Sequence, residues 1–419
     1  MFLTFVMSIL ATLHAVLLLV IAPLRGWKPR GQPSSATLSA AVIVPCCGDL
    51  DGALEGNLRA IAGQRQPPAR LILVARSHLD PAMPTMRRLE SEMPFVRVVV
   101  AGVAKLCGQK NHNLLKAVRR AGEANVYVFA DADIRPDANW LASLLEPLEN
   151  DPRIGATTAL CDLPPARDGF VAATQALFTL HQSSFQRLLS MPWGGSMAVR
   201  ACLFRSAGVA SAWGRTVLDD WVLWRCIAPR ARIATVPSIR SGATSSAHCW
   251  RDCLEWNVRQ YQYFKLYRAL AFRTLVVTQL LAWGVCLGLP VRAFLRGSPI
   301  AETFWPSICY LALSALLNVA LFQRTRGRVP MAQRLAASLI TPPLIGYVTV
   351  AAWLRRALVW RGITYRMDRQ GQVVSMKMDA PELQGESRQP VPPAVAFQAG
   401  RGEIEETVPE GAMPMAKPG

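Results

Sequence analysis

No Gly-x-Gly-x-x-Gly segment follows any of the apolar, β-branched runs of this 419-residue chain. A dinucleotide-binding turn is therefore unsupported, and a nucleotide would have to be held in another way. The ten cysteines are scattered, with Cys46-Cys47 and Cys249-x-x-x-Cys253 as their close groupings. Neither has zinc spacing, so they read as reduced, mostly buried thiols rather than a metal or redox centre. Histidine is scarce, at five residues. His78, His112, His181 and His248 stand isolated, which suits structural or surface positions. Acids are few beside bases, 28 against 46, for a formal charge of +18. The tail Asp379–Gly419 is rich in acids, so the positive charge concentrates in residues 1–378. Its bases flank apolar runs and are not interleaved with a recognisable nucleic-acid module. That argues against nucleic acid and for anionic lipid headgroups and a nucleotide diphosphate as partners.

Apolar residues are abundant, at 51%, with a mean hydropathy of +0.21. Phe2–Pro23 is long enough to cross a bilayer. No cation precedes it, Arg25, Lys28 and Arg30 follow it, and it has no A-x-A cleavage site. By the positive-inside rule its amino terminus lies outside and the following chain is cytoplasmic. Further along, Leu275–Leu289 and Phe304–Phe322 read as spans, the latter followed by Arg324, Arg326 and Arg328. Leu335–Leu354 carries Thr341-Pro342-Pro343 at its middle and Arg355-Arg356 at its end. It is either a span or a re-entrant hairpin bent at the prolines.

Between the first and later apolar runs the pattern alternates. AAVIVP (Ala40–Pro45), RLILVA (Arg70–Ala75), Phe95–Ala101 and the run ending at Ala130 read as buried strands, separated by helical segments. Strand–helix alternation predicts a doubly wound, mostly parallel α/β sheet with right-handed crossovers. Trp140–Asn150 reads as a helix, Ile154–Cys161 as a strand, and Gly169–Met191 as an amphipathic helix too polar to cross lipid. Trp193-Gly194-Gly195-Ser196-Met197 reads as a turn with little side-chain bulk, open to close approach by a ligand.

Asn125–Trp140, NVYVFADADIRPDANW, carries the chemistry. Its strand ends in Asp131-Ala132-Asp133, so two carboxylates sit at a strand's carboxyl end, where open α/β sheets bind ligands. Alternation would point both to one side, towards a hard cation such as Mg²⁺ or Mn²⁺ that also takes diphosphate oxygens. Asp219-Asp220-Trp221 adds a second acid pair in which neighbours could desolvate Asp220 into a general base. Arg259 lies on a helical segment with Trp256 and Tyr263 three and four residues away, an aromatic platform with a cation. Lys110, in GQKNHNL, can meet a phosphate as a point charge.

These pieces, in order, resemble inverting family-2-type glycosyltransferases, and among them the ceramide glucosyltransferase-like branch. They are Asp80-Pro81-Ala82, Gly108–Leu114, Asp131–Asp137, Gly194–Met197, Asp219-Asp220, the arginine-containing helix and Trp360–Met367 (WRGITYRM). The resemblance implies an α/β GT-A domain with α-helical transmembrane segments, using Mg²⁺ or Mn²⁺ to hold a UDP-sugar. It implies transfer of a hexose, glucose above all, to a lipid such as ceramide at the cytoplasmic face of a bacterial inner membrane.

In that frame Asp220 is the general base, Asp131 and Asp133 hold the metal, and Lys110, Ser77, Asp80 and Arg259 join them in donor binding. Acceptor contacts fall to Gly195, Ser196, Asp219, Trp221 and Trp256. The chain departs from the family twice: Ser77 stands where a first acid is usual, and Trp256–Gln260 reads W-x-x-R-Q rather than Q-x-x-R-W. A processive polysaccharide synthase and a non-catalytic GT-A scaffold are the alternatives. The division expected is an N-terminal span (1–24), a linker (25–39), the catalytic domain (40–268), transmembrane or re-entrant helices (269–358), a basic juxtamembrane segment (359–378) and a disordered tail (379–419).

Overall fold

The computed structural model describes residues 38–49, 52–161, 169–239, 247, 249–284, 288–297, 300–322 and 329–378. The expected N-terminal span, nearly all of the linker and the tail lie outside the described residues, as does His248.

The apolar runs become the expected elements: β1 (Ala40–Pro45), α1 (Leu54–Ala62), β2 (Arg70–Ala75), α2 (Met83–Glu92), β3 (Val96–Val100), α3 (Gln109–Val118), β4 (Val126–Ala130), α4 (Trp140–Asn150) and β5 (Ile154–Cys161). After them come α5 (Phe170–Leu189), β6 (Ser196–Arg200), α6 (Ala201–Ser206), α7 (Val209–Trp213), α8 (Asp220–Ile227), β7 (Arg232–Ile239) and α9 (Trp250–Tyr267). Seven strands form one sheet in the order β3-β2-β1-β4-β6-β5-β7. The first four are parallel, and β1 and β4 are covered on both faces, which is why their sequences do not alternate. One face packs on Leu54, Leu58 and Ile61 of α1, spaced to share a helical side. The other packs on Phe204 and Trp213, whose rings meet Phe129 at 6.0 and 5.0 Å between centroids. Burying each such large side chain contributes about 1.5–3 kcal/mol.

The departure from parallel order positions the site. β6 runs antiparallel to both β4 and β5, while β7 returns parallel to β5. Because β6 is reversed, its first residue pairs with the last of β4, Ser196 with Ala130. The segment read as a five-residue turn is thus a turn at Trp193-Gly194-Gly195 whose last two residues, Ser196 and Met197, already belong to a strand. The turn is pressed over the DAD segment, and the Asp131 N–H donates to Gly195 O at 3.2 Å.

The apolar part contains α10 (Ala269–Trp283), α11 (Leu289–Leu295), α12 (Ile300–Phe322) and α13 (Met331–Leu354). Among the described residues one helix, Met331–Leu354, is long and apolar enough to cross a membrane; Ala269–Trp283 and Leu311–Phe322 are shorter apolar helical stretches. The expected Leu275–Leu289 span falls partly outside the described residues, at 285–287; within them α10 accounts for it as far as Trp283. Of the two readings of Leu335–Leu354, a span or a re-entrant hairpin, the hairpin is not formed: Pro342 and Pro343 both lie inside the continuous α13. Neighbouring helices hold it: α13 packs against α5, α9, α10 and α12. Lys265 Nζ donates to the carbonyls of Ala352, Trp353 and Arg355 at 2.7–3.0 Å, satisfying the acceptors that a helix end leaves open. Arg355, read as a topology signal, is engaged with the Glu255 carboxylate of α9 through both terminal nitrogens.

The expected juxtamembrane segment is a second sheet. β8 (Ala357–Trp360), β9 (Ile363–Met367) and β10 (Val373–Met378) form an antiparallel meander in the order β10-β9-β8. It is tied to the catalytic domain: the Gln109 N–H donates to Tyr365 Oη at 3.2 Å, Tyr267 Oη to Gly371 O at 3.1 Å, and the Val373 N–H to Arg215 O at 2.8 Å. Leu358, Ile363 and Tyr365 are buried in the core beneath the sheet's second face.

Candidate active site

A cavity of about 680 Å³ opens at the carboxyl ends of β1 and β4, within the size range of sites for nucleotide-sized ligands. Asp131, Asp133, Lys110, Gly194, Gly195, Asp219, Asp220, Trp221, Trp256 and Arg259 all line it. Residues as far apart in sequence as Lys110 and Arg259 are therefore brought to one place, by the reversed β6 on one side and by the amino ends of α3 and α8 on the others.

At its centre Lys110 Nζ lies 2.7 Å from Asp131 Oδ1 and 2.9 Å from Asp219 Oδ2. Burial by itself pulls the ammonium's pKa down, but the two carboxylates outweigh it and hold Lys110 above its ordinary value. Asp131 is still pushed up to about 6, first by burial and then, against the pull of Lys110, by Asp133 and Asp219. Its side chain keeps 31% of its surface open, facing the cavity. Asp220 begins α8. Its Oδ2 accepts the Gly194 N–H at 3.0 Å and its Oδ1 the Trp221 N–H at 2.7 Å. Those bonds favour the charged form, yet burial and the adjacent Asp219 push the group up to about 7. A carboxylate of that basicity on a cavity wall suits a general base at neutral pH.

The glycines before it have a steric role. A Cβ on Gly194 would stand 2.6 Å from Asp219 Oδ2, and one on Gly195 would overlap the Trp193 ring. Gly194→Ala is thus expected to displace Asp219 or the turn, costing about 1–3 kcal/mol in a denaturant titration and lowering transfer by up to about 100-fold through misplaced reacting groups.

The other predicted residues have different places. Ser77 and Asp80 do not line the cavity. Ser77 Oγ accepts the Leu79 N–H at 3.1 Å, and Asp80 Oδ1 accepts the N–H groups of Gly48 and Ala82 at 2.8 and 3.0 Å, tying α2 to the loop after β1. Ser196 is fully buried and accepts Trp140 Nε1–H at 2.8 Å, so it holds the turn from behind. Arg259 finds its aromatic partner elsewhere than expected: its guanidinium sits over Trp360 of β8, 5.8 Å from the ring centroid. His112 and His181 are structural, bonded to Ala101 O and to Asn318 Oδ1.

Two groups of lining residues escape sequence reasoning. Trp360, Arg361, Ile363 and Tyr365 come from the C-terminal sheet. Their signal was an alternating run split by Arg-Gly, a two-residue hairpin pattern. From α5 come Gln175, Thr179, Gln182 and Gln186, a polar stripe at helical spacing. Its opposite side, Ala173, Leu177 and Leu180, packs on α12 and α13. The amphipathic α5 thus separates the cavity from the apolar helices.

The site suits a hard divalent cation. Four acids, Asp131, Asp133, Asp219 and Asp220, line the cavity, Lys110 pairs with two of them, Asp131 and Asp219, and Asp131 presents an oxygen surface to the cavity. Among the described residues no three His, Cys, Asp or Glu side chains form a closed metal cage. One or two carboxylates completed by ligand phosphates is how Mg²⁺ and related ions are usually held.

A family model described as Glycosyl transferase family 21 matches residues 3–373. Comparison with curated proteins found no match. Among solved structures the chain is similar to a mannosyltransferase from Pyrobaculum calidifontis in complex with GDP-Man and Mn²⁺. The TM-score is 0.50 and the identity 16%, over 84% of this chain and 98% of that one. It is also similar to a glucosyl-3-phosphoglycerate synthase from Mycobacterium tuberculosis in complex with Mn²⁺ and UDP-glucose, at a TM-score of 0.36 and 17% identity, over 53% of this chain and 78% of that one. The first likeness is one of fold, a mostly parallel GT-A-like sheet flanked by helices.

Proposed function

The chain belongs to glycosyl transferase family 21, and from that premise we propose that it moves one hexose, glucose, from a UDP-sugar to a membrane lipid such as ceramide, with inversion, at the cytoplasmic face of a bacterial inner membrane. The observation that carries this reading is the convergence of Asp131, Asp133, Lys110 and Asp220 on a single cavity. Asp131 and Asp133 would hold Mg²⁺ or Mn²⁺, which when bound supplies charge neutralisation for a departing diphosphate. Lys110, freed from Asp131 once that carboxylate faces a cation, would reach a phosphate as a point charge. Asp220 would take the acceptor hydroxyl's proton on Oδ1 or Oδ2, while Trp221 and Trp256 exclude water from the acceptor side.

A lipid acceptor is supported by the surface beyond α5. Leu270, Val277, Phe294, Leu295, Leu316, Leu339 and Leu354 on the four apolar helices are all exposed, and exposed apolar residues gathered on neighbouring helices suit contact with lipid. The helix α13 would reach about 36 Å, enough to span a bilayer. The expected multi-pass arrangement and the tethering N-terminal span belong to the same reading.

The test is transfer of labelled hexose from UDP-sugars into a membrane lipid extract by the purified protein. One hexose per lipid is expected with Mg²⁺ or Mn²⁺, no transfer in excess EDTA, and recovery when metal is restored. Transfer undiminished in EDTA would remove Asp131 and Asp133 as metal ligands, and a polymer of hexoses would favour the processive synthase.

A further inference from the structure

The turn between β8 and β9 consists of Arg361 and Gly362, with Trp360 paired to Ile363. Both turn residues have positive φ, 49° at Arg361 and 72° at Gly362, the combination that a two-residue hairpin of the right twist requires. Asn, Asp or Gly ordinarily fills its first position, because an unbranched polar stub or no side chain tolerates the left-handed region. An arginine there is a local misfit. Backbone misfits of this kind gather where a side chain is needed for binding.

That side chain reaches into the donor end of the cavity. Arg361 Nη1 donates to Cys47 O at 2.9 Å, on the loop that leaves β1, 314 residues away in sequence. Cys47 and Arg361 line the same cavity as Asp131 and Asp133, and the guanidinium feels the charge of both acids. One Nη1 proton is taken by Cys47 O, while the guanidinium of an arginine carries five donors. Trp360, the residue before it, lies under the Arg259 guanidinium, and both arginines line this cavity.

We propose that Arg361 binds the diphosphate of the nucleotide donor, from the side opposite Lys110, and that the C-terminal meander is therefore a wall of the donor site rather than a connection to the tail. The inference rests on the UDP-sugar reading given above and adds a residue to it. A planar, fixed-charge fork suits two adjacent phosphate oxygens better than an ammonium does. Arg361 is a binding and positioning residue; no proton passes through it.

Arg361→Asn separates this role from a structural one, because asparagine fits the left-handed turn and cannot hold a phosphate by charge. The full-length protein in detergent is titrated with UDP and with uridine by calorimetry, with Mn²⁺ present, and its melting temperature is recorded. The variant is expected to bind UDP about tenfold or more weakly than the parent, to bind uridine unchanged, and to melt no lower. Arg361→Lys is expected to recover part of the UDP affinity. Equal UDP affinity in parent and Arg361→Asn would overturn the inference while leaving the donor reading intact. Equal losses for UDP and uridine, with a lower melting temperature, would also overturn it and leave Arg361 as a latch on the β1 loop. No UDP binding by the parent would sink the donor reading itself, and this inference with it.

Discussion

Asp220→Asn is expected to lower kcat by about 10²–10⁴-fold, the range for loss of a positioned general base, with the protein still expressed and folded. The asparagine keeps the shape and one oxygen for the Gly194 N–H, which Asp220 Oδ2 accepts at 3.0 Å, but gives up the acceptor that Oδ1 offers the Trp221 N–H at 2.7 Å. It also removes a charge that burial and Asp219 disfavour, which offsets the lost Trp221 bond, so thermal stability should change little. The pH profile gives the same group a second signature. Asp220 is pushed up to about 7, so below that pH it carries a proton and cannot accept another. The rate constant kcat/KM should therefore rise with pH through an acidic limb near 7 and level off above it, and the residual activity of Asp220→Asn should lack that limb. A scaffold with no chemistry would show neither effect, since its cellular role would survive the substitution.

Lys110→Met is expected to have the largest effect on stability. Lys110 sits between Asp131 and Asp219 at 2.7 and 2.9 Å, with side chains 13%, 31% and 4% exposed respectively. Removing one member of a buried charged group leaves the others uncompensated, at a cost of about 3–5 kcal/mol. Asp219 and Asp131 would then lose the ammonium that pairs with both of them, beside Asp220. A denaturant titration in EDTA should show that loss at neutral pH. Millimolar Mn²⁺ should restore part of it, because a cation at Asp131 replaces some of the missing charge and binds the folded state alone. Double substitution with Asp131→Asn should cost less than the sum of the two single changes, since the residues share one interaction. Full additivity would mean that Lys110 stabilises the fold through packing of its methylenes instead.

Much of this arrangement was legible before any coordinates. The strands at Ala40–Pro45, Arg70–Ala75 and Ile154–Cys161 appear with the boundaries their apolar runs suggest, because a strand buried on both faces needs an unbroken apolar run and little else explains one. The acids at 131, 133, 219 and 220 could be singled out since carboxylates after such runs have few structural uses. The antiparallel β6 could not be foreseen. SMAVR is short, and its direction is set by the pairing of Ser196 with Ala130 and by the Trp193 turn, a tertiary matter.

Ser77 and Asp80 show a second limit. Resemblance placed them at the donor, whereas their side chains accept backbone N–H groups of Leu79, Gly48 and Ala82. A buried short polar side chain in a loop is often consumed locally, and spacing alone does not show it. Before the C-terminal meander the charge of Arg355 and Arg356 reads as membrane topology, and Arg361 stands only within the WRGITYRM run. Two of those arginines have specific partners, Glu255 and Cys47 O, which a charge count treats as equivalent to lipid. At Pro342 and Pro343 the sequence leaves a span and a hairpin open, and packing against α5, α9, α10 and α12 accompanies the continuous helix.

The most direct measurement is the anomeric configuration of the first product, read by proton NMR on the glycolipid made from a UDP-α-hexose. With Asp220 as the proposed base and the diphosphate held by Asp131, Lys110 and Arg361, transfer is a single displacement, and the expected product is a β-linked monohexosyl lipid. An α-linked product, or hexose released to water with the lipid unchanged, would contradict that geometry and the assignment of Asp220 as the base.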